Sequence, residues 1–246
     1  MTSSLFNRAT RLAAVPVVLL AAVVVASSTA GATVTGAPTT SSVVAAARSA
    51  IGKQASVHLA LSSRTSAKAV EEVVQADLAK SSGSETVSQG KETVTIKLTA
   101  ADAYLSGNPS GLTKILGLTS AQVKKLGADW VFVKAGTTQY KDLATSMTIS
   151  SVASVLPVVK GTKLYLPSPS GRKLYTLKWF TAATSSAPAL ASTLTISAVA
   201  PYLPVQETTT APGGGRETVV FSKWGEPVVV SAPPARLTIP LSKVSG

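Results

Sequence analysis

The sequence predicts an α+β protein dominated by one curved, largely antiparallel sheet. Three observations carry this. Roughly ten short segments read as strands, the clearest with apolar and polar residues in alternation. Most connections between them are too short for crossover helices, so neighbouring strands should run antiparallel. Only a few short stretches read as helix, one at the N-terminal end and the rest in an insert between strands.

Ahead of the fold lies an export signal. Arg8 and Arg11 form a positive start, and Leu12 to Ala26 is uncharged and almost entirely apolar. That run of about 15 residues is short of the ~20 a membrane-spanning helix needs. Ser28-Thr29-Ala30 and Ala30-Gly31-Ala32 both offer the small-x-small pattern of a processing site. Residues 1–32 therefore read as a signal peptide cleaved after Ala30 or Ala32, with a retained anchor as the alternative. The expected location is outside the cytoplasmic membrane, secreted or in the wall or envelope. Residues 33–41 read as a flexible lead and 42–246 as a single domain.

Ser41-Ser42 can cap a helix over Val43 to Lys53, with Gly52 near its end. Val57, Leu59 and Leu61 then alternate with His58, Ala60 and Ser62. Val70 to Leu78 is a second strand with polar residues on both faces, and Thr86 to Gln89 a third. Val94, Ile96 and Leu98 alternate with Thr93, Thr95 and Lys97, the cleanest strand in the chain, and Ala103 to Ser106 follows. Past the Gly107-Asn108-Pro109 turn, Leu112, Ile115, Leu116 and Leu118 take helical spacing. Thr119 or Ser120 caps a second helical stretch that ends at Gly127. Trp130 to Lys134 returns to strand, and Thr148 to Leu156 reads as helix stopped by Pro157. Further strands are expected at Lys163–Leu166, Leu174–Phe180, Thr193–Val199, Thr218–Ser222 and Val228–Ser231, with Pro- and Gly-rich turns between.

Composition narrows the chemistry. The chain has 246 residues with 45% hydrophobic and 14% charged, the balance of a folded core rather than a disordered chain. It has no cysteine, which excludes disulfides, thiolate metal sites, cysteine nucleophiles and a lipid-modified N-terminal cysteine. The single histidine, His58, excludes a multi-histidine metal centre, and no cofactor is expected. Aromatics are 5% of the chain, so the core is built from small aliphatic residues or is not completely filled. The net charge is +12, or +10 once Arg8 and Arg11 leave with the signal. In an exported protein that charge favours an anionic membrane surface or acidic wall polymer over nucleic acid. Lys124-Lys125 and Arg172-Lys173 are the basic doublets available for such contact.

The catalytic inventory is thin. His58 sits on the polar side of a strand with no acid near it in sequence, and there is no Gly-x-Ser-x-Gly elbow. Glu71 and Glu72 are adjacent, so on a strand they point to opposite faces and cannot work as a pair. The eleven acids read as surface groups. Gly213-Gly214-Gly215 lacks the lysine and serine of a phosphate loop and reads as a hairpin turn.

Several segments together resemble the LppX/LprG-type lipoproteins of actinobacterial envelopes. One is the N-terminal helix running into Ala55-Ser56-Val57-His58-Leu59. Another is Leu126-Gly127-Ala128-Asp129-Trp130-Val131-Phe132-Val133. The most telling is Val219-Val220-Phe221-Ser222-Lys223-Trp224-Gly225-Glu226-Pro227-Val228, followed by Ala232-Pro233-Pro234. The resemblance covers nearly all of the chain after the signal, in order of elements. It implies a half-barrel like that of the bacterial Lol lipoprotein carriers, wrapped around helices, with an apolar cavity for acyl chains. Family members begin at an acylated cysteine and this chain has none, so release as a soluble protein is expected instead. The implied function is non-enzymatic binding and carriage of lipids or lipoglycans by a monomer. The residues themselves leave open an envelope interaction protein with a filled core, or a secreted hydrolase. The side chains expected to line a cavity are Val57, Leu59, Leu61, Val94, Ile96, Leu98, Leu112, Ile115, Leu116, Val131 and Val133.

Overall fold

Strand alternation builds one continuous sheet. The computed structural model describes residues 38–167, 171, 173–185 and 187–244. The signal peptide, most of the flexible lead and Arg172 lie outside the described residues. The strands are β1 (Ser56–Arg64), β2 (Glu72–Ala79), β3 (Gly83–Gln89), β4 (Glu92–Leu98), β5 (Asp102–Gly107), β6 (Trp130–Lys134), β7 (Lys163–Tyr165), β8 (Leu174–Thr181), β9 (Leu190–Ser197), β10 (Pro204–Thr210), β11 (Arg216–Ser222) and β12 (Thr238–Pro240). They form twelve neighbours in the order β12-β6-β5-β4-β3-β2-β1-β11-β10-β9-β8-β7. Every pairing is antiparallel except β12 against β6. The class is α+β, as expected, with twelve strands rather than ten.

The helices lie on one face of this sheet and make it a half-barrel. Helix α1 (Thr40–Lys53) starts three residues before the expected Val43. The reason is a capping box one turn earlier, in which the Ser42 N–H donates to the Thr39 hydroxyl and the Thr39 N–H to the Ser42 hydroxyl. Its buried side chains, Val43, Val44, Ala47, Ala50 and Ile51, recur at helical spacing along one stripe. They join a single core that takes residues from β1 through β6 and from β8, β9 and β11. The insert supplies α2 (Pro109–Lys114), α3 (Ser120–Leu126), α4 (Thr138–Ser146) and a 3₁₀ turn over Ile149–Val155. Helix α3 has the expected ends, a Thr119 cap and Gly127 at φ 60°. Helix α4 was not expected, and the stretch read as helix from Thr148 is the tighter 3₁₀ form. A four-residue helix, α5 (Leu241–Val244), ends the described chain.

The insert presses close to the sheet at Gly83. A side chain there would run into the Met147 carbonyl oxygen, which is backbone and cannot swing aside. Gly83→Ala should therefore cost about 2 kcal/mol or more in urea unfolding, whereas Ser84→Ala, next to it on the other face, should stay within about 0.5 kcal/mol.

Two expectations for the C-terminal third are corrected. Val228–Ser231 is not a strand: Pro227, Pro233 and Pro234 flank it, and it pairs with no neighbour. After β11 the chain instead crosses the outer face of the sheet, where the Lys97 ammonium donates to the Ser231 carbonyl at 3.4 Å, and reaches the far edge as β12. The second correction is β10, whose only buried positions are Pro204 and Glu207, so it gives no apolar alternation to read.

The motif that weighed most in the sequence resemblance has a local packing explanation. The Trp224 ring stacks on Phe221 at 6.1 Å and its Nε1–H donates to the Pro204 carbonyl at 3.2 Å. The Gly225 N–H donates to the Ser56 carbonyl at 2.9 Å from a left-handed φ of 78°, a conformation glycine adopts without strain. These contacts tie the turn after β11 to β1 and β10, at the middle of the sheet.

Candidate functional site

The strand registers arrange the inner face in rows running from an apolar floor to a polar rim. The floor joins Val57, Leu78, Gly83, Leu98, Ala103 and Val133 across six strands. The next row runs Phe221, Leu59, Ala76, Glu85, Ile96, Leu105 and Val131. A third runs Leu177, Leu194, Glu207, Val219, Leu61, Val74, Val87 and Val94. The rim is Ser192, Thr209, Glu217, Ser63, Glu72, Gln89 and Glu92. A depression of about 440 Å³ opens at this rim, lined by Ser63, Arg64, Glu72, Gln89, Glu92 and Lys114 among others. That volume falls within the usual range of small-molecule sites.

The residues expected to line a cavity divide in two. Val57, Val94, Ile96, Leu98, Leu112, Ile115, Leu116, Val131 and Val133 are all buried in the packed core with α1 and the insert. Leu59 and Leu61 face the same side but are only partly buried. Leu61 stands one row inside Ser63, which lines the opening. Open apolar wall is therefore concentrated on β1, next to the mouth.

The acids overturn the expectation that they are surface groups. Glu85 and Glu207 are buried on the inner face, and Glu72 and Glu217 stand on the same face at the rim. Among the described residues none of the four makes a side-chain hydrogen bond or ion pair, and Glu85 Oε1 is fully buried without a partner. Burial raises all four carboxyls, and three reach about 7. Their mutual repulsion adds to this: Glu72 acts on both Glu85 and Glu217, and Glu217 on Glu207. Glu92, at the exposed end of the row, is held down by its hydrogen bond from Lys114 at 2.5 Å. The signal was present in the sequence, since Glu72, Glu85 and Glu217 are in phase with Val74, Val87 and Val219 on their strands.

On the outer face, His58 has a partner that sequence distance concealed. Register places it opposite Asp77, and Nδ1 lies 2.8 Å from Oδ1. Ser84 is the next residue in that cross-strand row, and a pocket of about 260 Å³ lies over the three. A Ser-His-Asp site needs the serine bonded to the histidine. Here Ser84 adjoins the aspartate instead, and no hydroxyl among the described residues bonds the imidazole. His58→Ala should cost no more than about 1 kcal/mol of stability. Loss of a measurable hydrolytic activity in that variant would instead identify a catalytic base. No three acids or histidines among the described residues are placed to hold a metal ion.

A second exposed surface lies at the β7–β8 edge. Val158, Val159, Tyr165, Leu166 and Phe180 are exposed there, beside the exposed Lys160, Lys163 and Lys178, and the Lys178 ammonium lies 4.9 Å from the Tyr165 ring centre. Of the expected basic doublets, Lys124 and Lys125 are exposed in the last turn of α3 and Lys173 is exposed before β8.

No family model and no curated protein matches the chain. In fold it is similar to two solved mycobacterial proteins, the first of them a lipoprotein. LppX of Mycobacterium tuberculosis is 17% identical at a TM-score of 0.48, covering 78% of this chain and 99% of that one. LprF of Mycobacterium bovis is 15% identical at 0.48, covering 79% and 96%.

Proposed function

We propose that the protein is a non-enzymatic carrier that binds the acyl chains of a lipid or lipoglycan on the inner face of its half-barrel. The observation carrying this is the partly buried apolar pair Leu59 and Leu61 on the inner face of β1, two rows and one row inside Ser63, which lines a depression of about 440 Å³. Each methylene moved from water to such a wall gains about 0.8 kcal/mol, so affinity needs no reactive group. The sequence resemblance points the same way. No described helix is long and apolar enough to cross a membrane. The carrier acts as an exported monomer. It meets anionic bilayers through the β7–β8 edge, where exposed apolar side chains and lysines lie together.

A second reading has its own support. Nine of the eleven expected lining residues are packed in the core, as in an interaction protein with a filled interior. Native mass spectrometry of freshly purified protein separates the two. The carrier should retain lipid, take up a fluorescent fatty acid when stripped, and float with phosphatidylglycerol vesicles at low salt. A single ligand-free mass with no uptake would favour the filled-core protein.

A further inference from the structure

Among the described residues the inner face carries four carboxylates without an ion-pair partner, beside the Lys114-paired Glu92, and no free cation. Glu85 and Glu207 stand among apolar neighbours, and Glu72 and Glu217 stand at the rim. Among the described residues, the elements packed against them place no cation beside these carboxyls, and Lys141 of α4 is exposed. The described face of α1 is apolar, and its Arg48 and Lys53 are exposed. Residues 143–156 contain no ionisable side chain, and Lys124 and Lys125 of α3 are exposed. At the mouth, Lys114 is paired with Glu92 and Arg64 is exposed. Glu85 Oε1, on a residue only 5% exposed that register places on the inner face, is buried with no hydrogen-bond partner. Buried acceptors without donors are uncommon in folded proteins and each calls for an explanation. The surface is strongly basic while the interior is acidic, so the acids are not a by-product of overall composition.

We infer that the inner face receives an ammonium group, carried by an amphiphile whose chain lies along the apolar wall. This rests on the acyl-chain reading above and names the polar chemistry that reading left open. A protonated amine would donate hydrogen bonds to Glu72 and Glu217 at the rim and bring the missing positive charge near Glu85 and Glu207. The acids are too dispersed to share a metal ion. The net positive charge, +12 for the full sequence, disfavours free cations at the outer surface, so a preference for ammonium would come from the inner face.

Titration calorimetry with dodecylammonium chloride, dodecyl maltoside and spermidine, each below any micellar concentration, tests this. At pH 8 dodecylammonium should bind at least about tenfold more tightly than dodecyl maltoside, roughly 1.4 kcal/mol. The gap should close to within about threefold at pH 5, where the carboxyls are protonated, and at pH 8 in the Glu85→Gln/Glu217→Gln variant. The pH comparison uses the unaltered protein, so it stands even if the variant folds poorly. Equal affinities at pH 8 would overturn the ammonium site and leave the acyl reading intact. Spermidine binding as tightly as dodecylammonium, with no dodecyl maltoside uptake, would overturn the amphiphile and the carrier together. If none of the three binds, both fall.

Discussion

Raising the pH from 5 to 9 should destabilise the ligand-free protein by several kcal/mol. Glu85, Glu207 and Glu217 are each raised from 4.5 to about 7, first by burial and then by a neighbouring carboxylate. A carboxyl whose folded value is raised binds its proton more tightly in the fold. The stability this gives is fully present below 4.5 and is lost as the pH climbs through about 7. For Glu85 alone the loss is about 3 kcal/mol. Glu72 acts on both Glu85 and Glu217, and Glu217 on Glu207, so the titrations are coupled and the losses do not simply add. A combined fall on the order of 5 kcal/mol is expected. Glu92 is shifted the opposite way, and its contribution is lost only as the pH falls below the ordinary carboxylate range, outside this window. Urea unfolding at pH 5, 7 and 9 gives the curve. Glu85→Gln should gain about 2–3 kcal/mol over the parent at pH 9 and little at pH 5. A parent curve flat across that range would mean these carboxyls are hydrated in solution.

The sheet was legible in the sequence where its inner residues are apolar, and illegible where they are not. Val94, Ile96 and Leu98 gave β4 its phase, and the structure places them on the inner face with Thr95 and Lys97 on the outer. Strand β10 was missed because its inner residue is Glu207 and a bulge between Pro204 and Gln206 breaks its register. Strand β12 has three residues and pairs in parallel with β6 across a long stretch of sequence, a contact that local pattern does not encode. Helix α4 depends on the Thr137 hydroxyl accepting from the Tyr140 N–H, and has a single buried apolar residue, Leu143, to mark its face. The floor of the site was readable as apolar strand faces. The acids were legible only as a phase: Glu72, Glu85 and Glu217 alternate in step with inward valines, but a glutamate between polar residues reads as exposed until cross-strand neighbours are known. The His58–Asp77 pair is the same case, two residues 19 apart brought together by a hairpin.

Leu61→Trp should lower bound lipid at least about fivefold while changing stability by no more than about 1 kcal/mol. Alternation places Leu61 on the inner face between Val219 and Val74, and it remains partly open one row inside the mouth. An indole there takes up volume an acyl chain would use, and an unfilled space accepts it without forcing neighbours apart. Ile96→Trp should behave differently. The sequence alone placed Ile96 beside unfilled volume, but it is 1% exposed within packed core. Enlarging it should cost about 1–3 kcal/mol, with any loss of lipid following from lost structure. Ala60→Trp is the control, since Ala60 neighbours Leu61 on the opposite face and should leave lipid content alone. Extracted lipid, measured beside melting curves for the three variants, gives the comparison. If Leu61→Trp proves as destabilising as Ile96→Trp and the parent protein yields no lipid, the wall at β1 is closed in solution and the half-barrel is an interaction scaffold rather than a carrier.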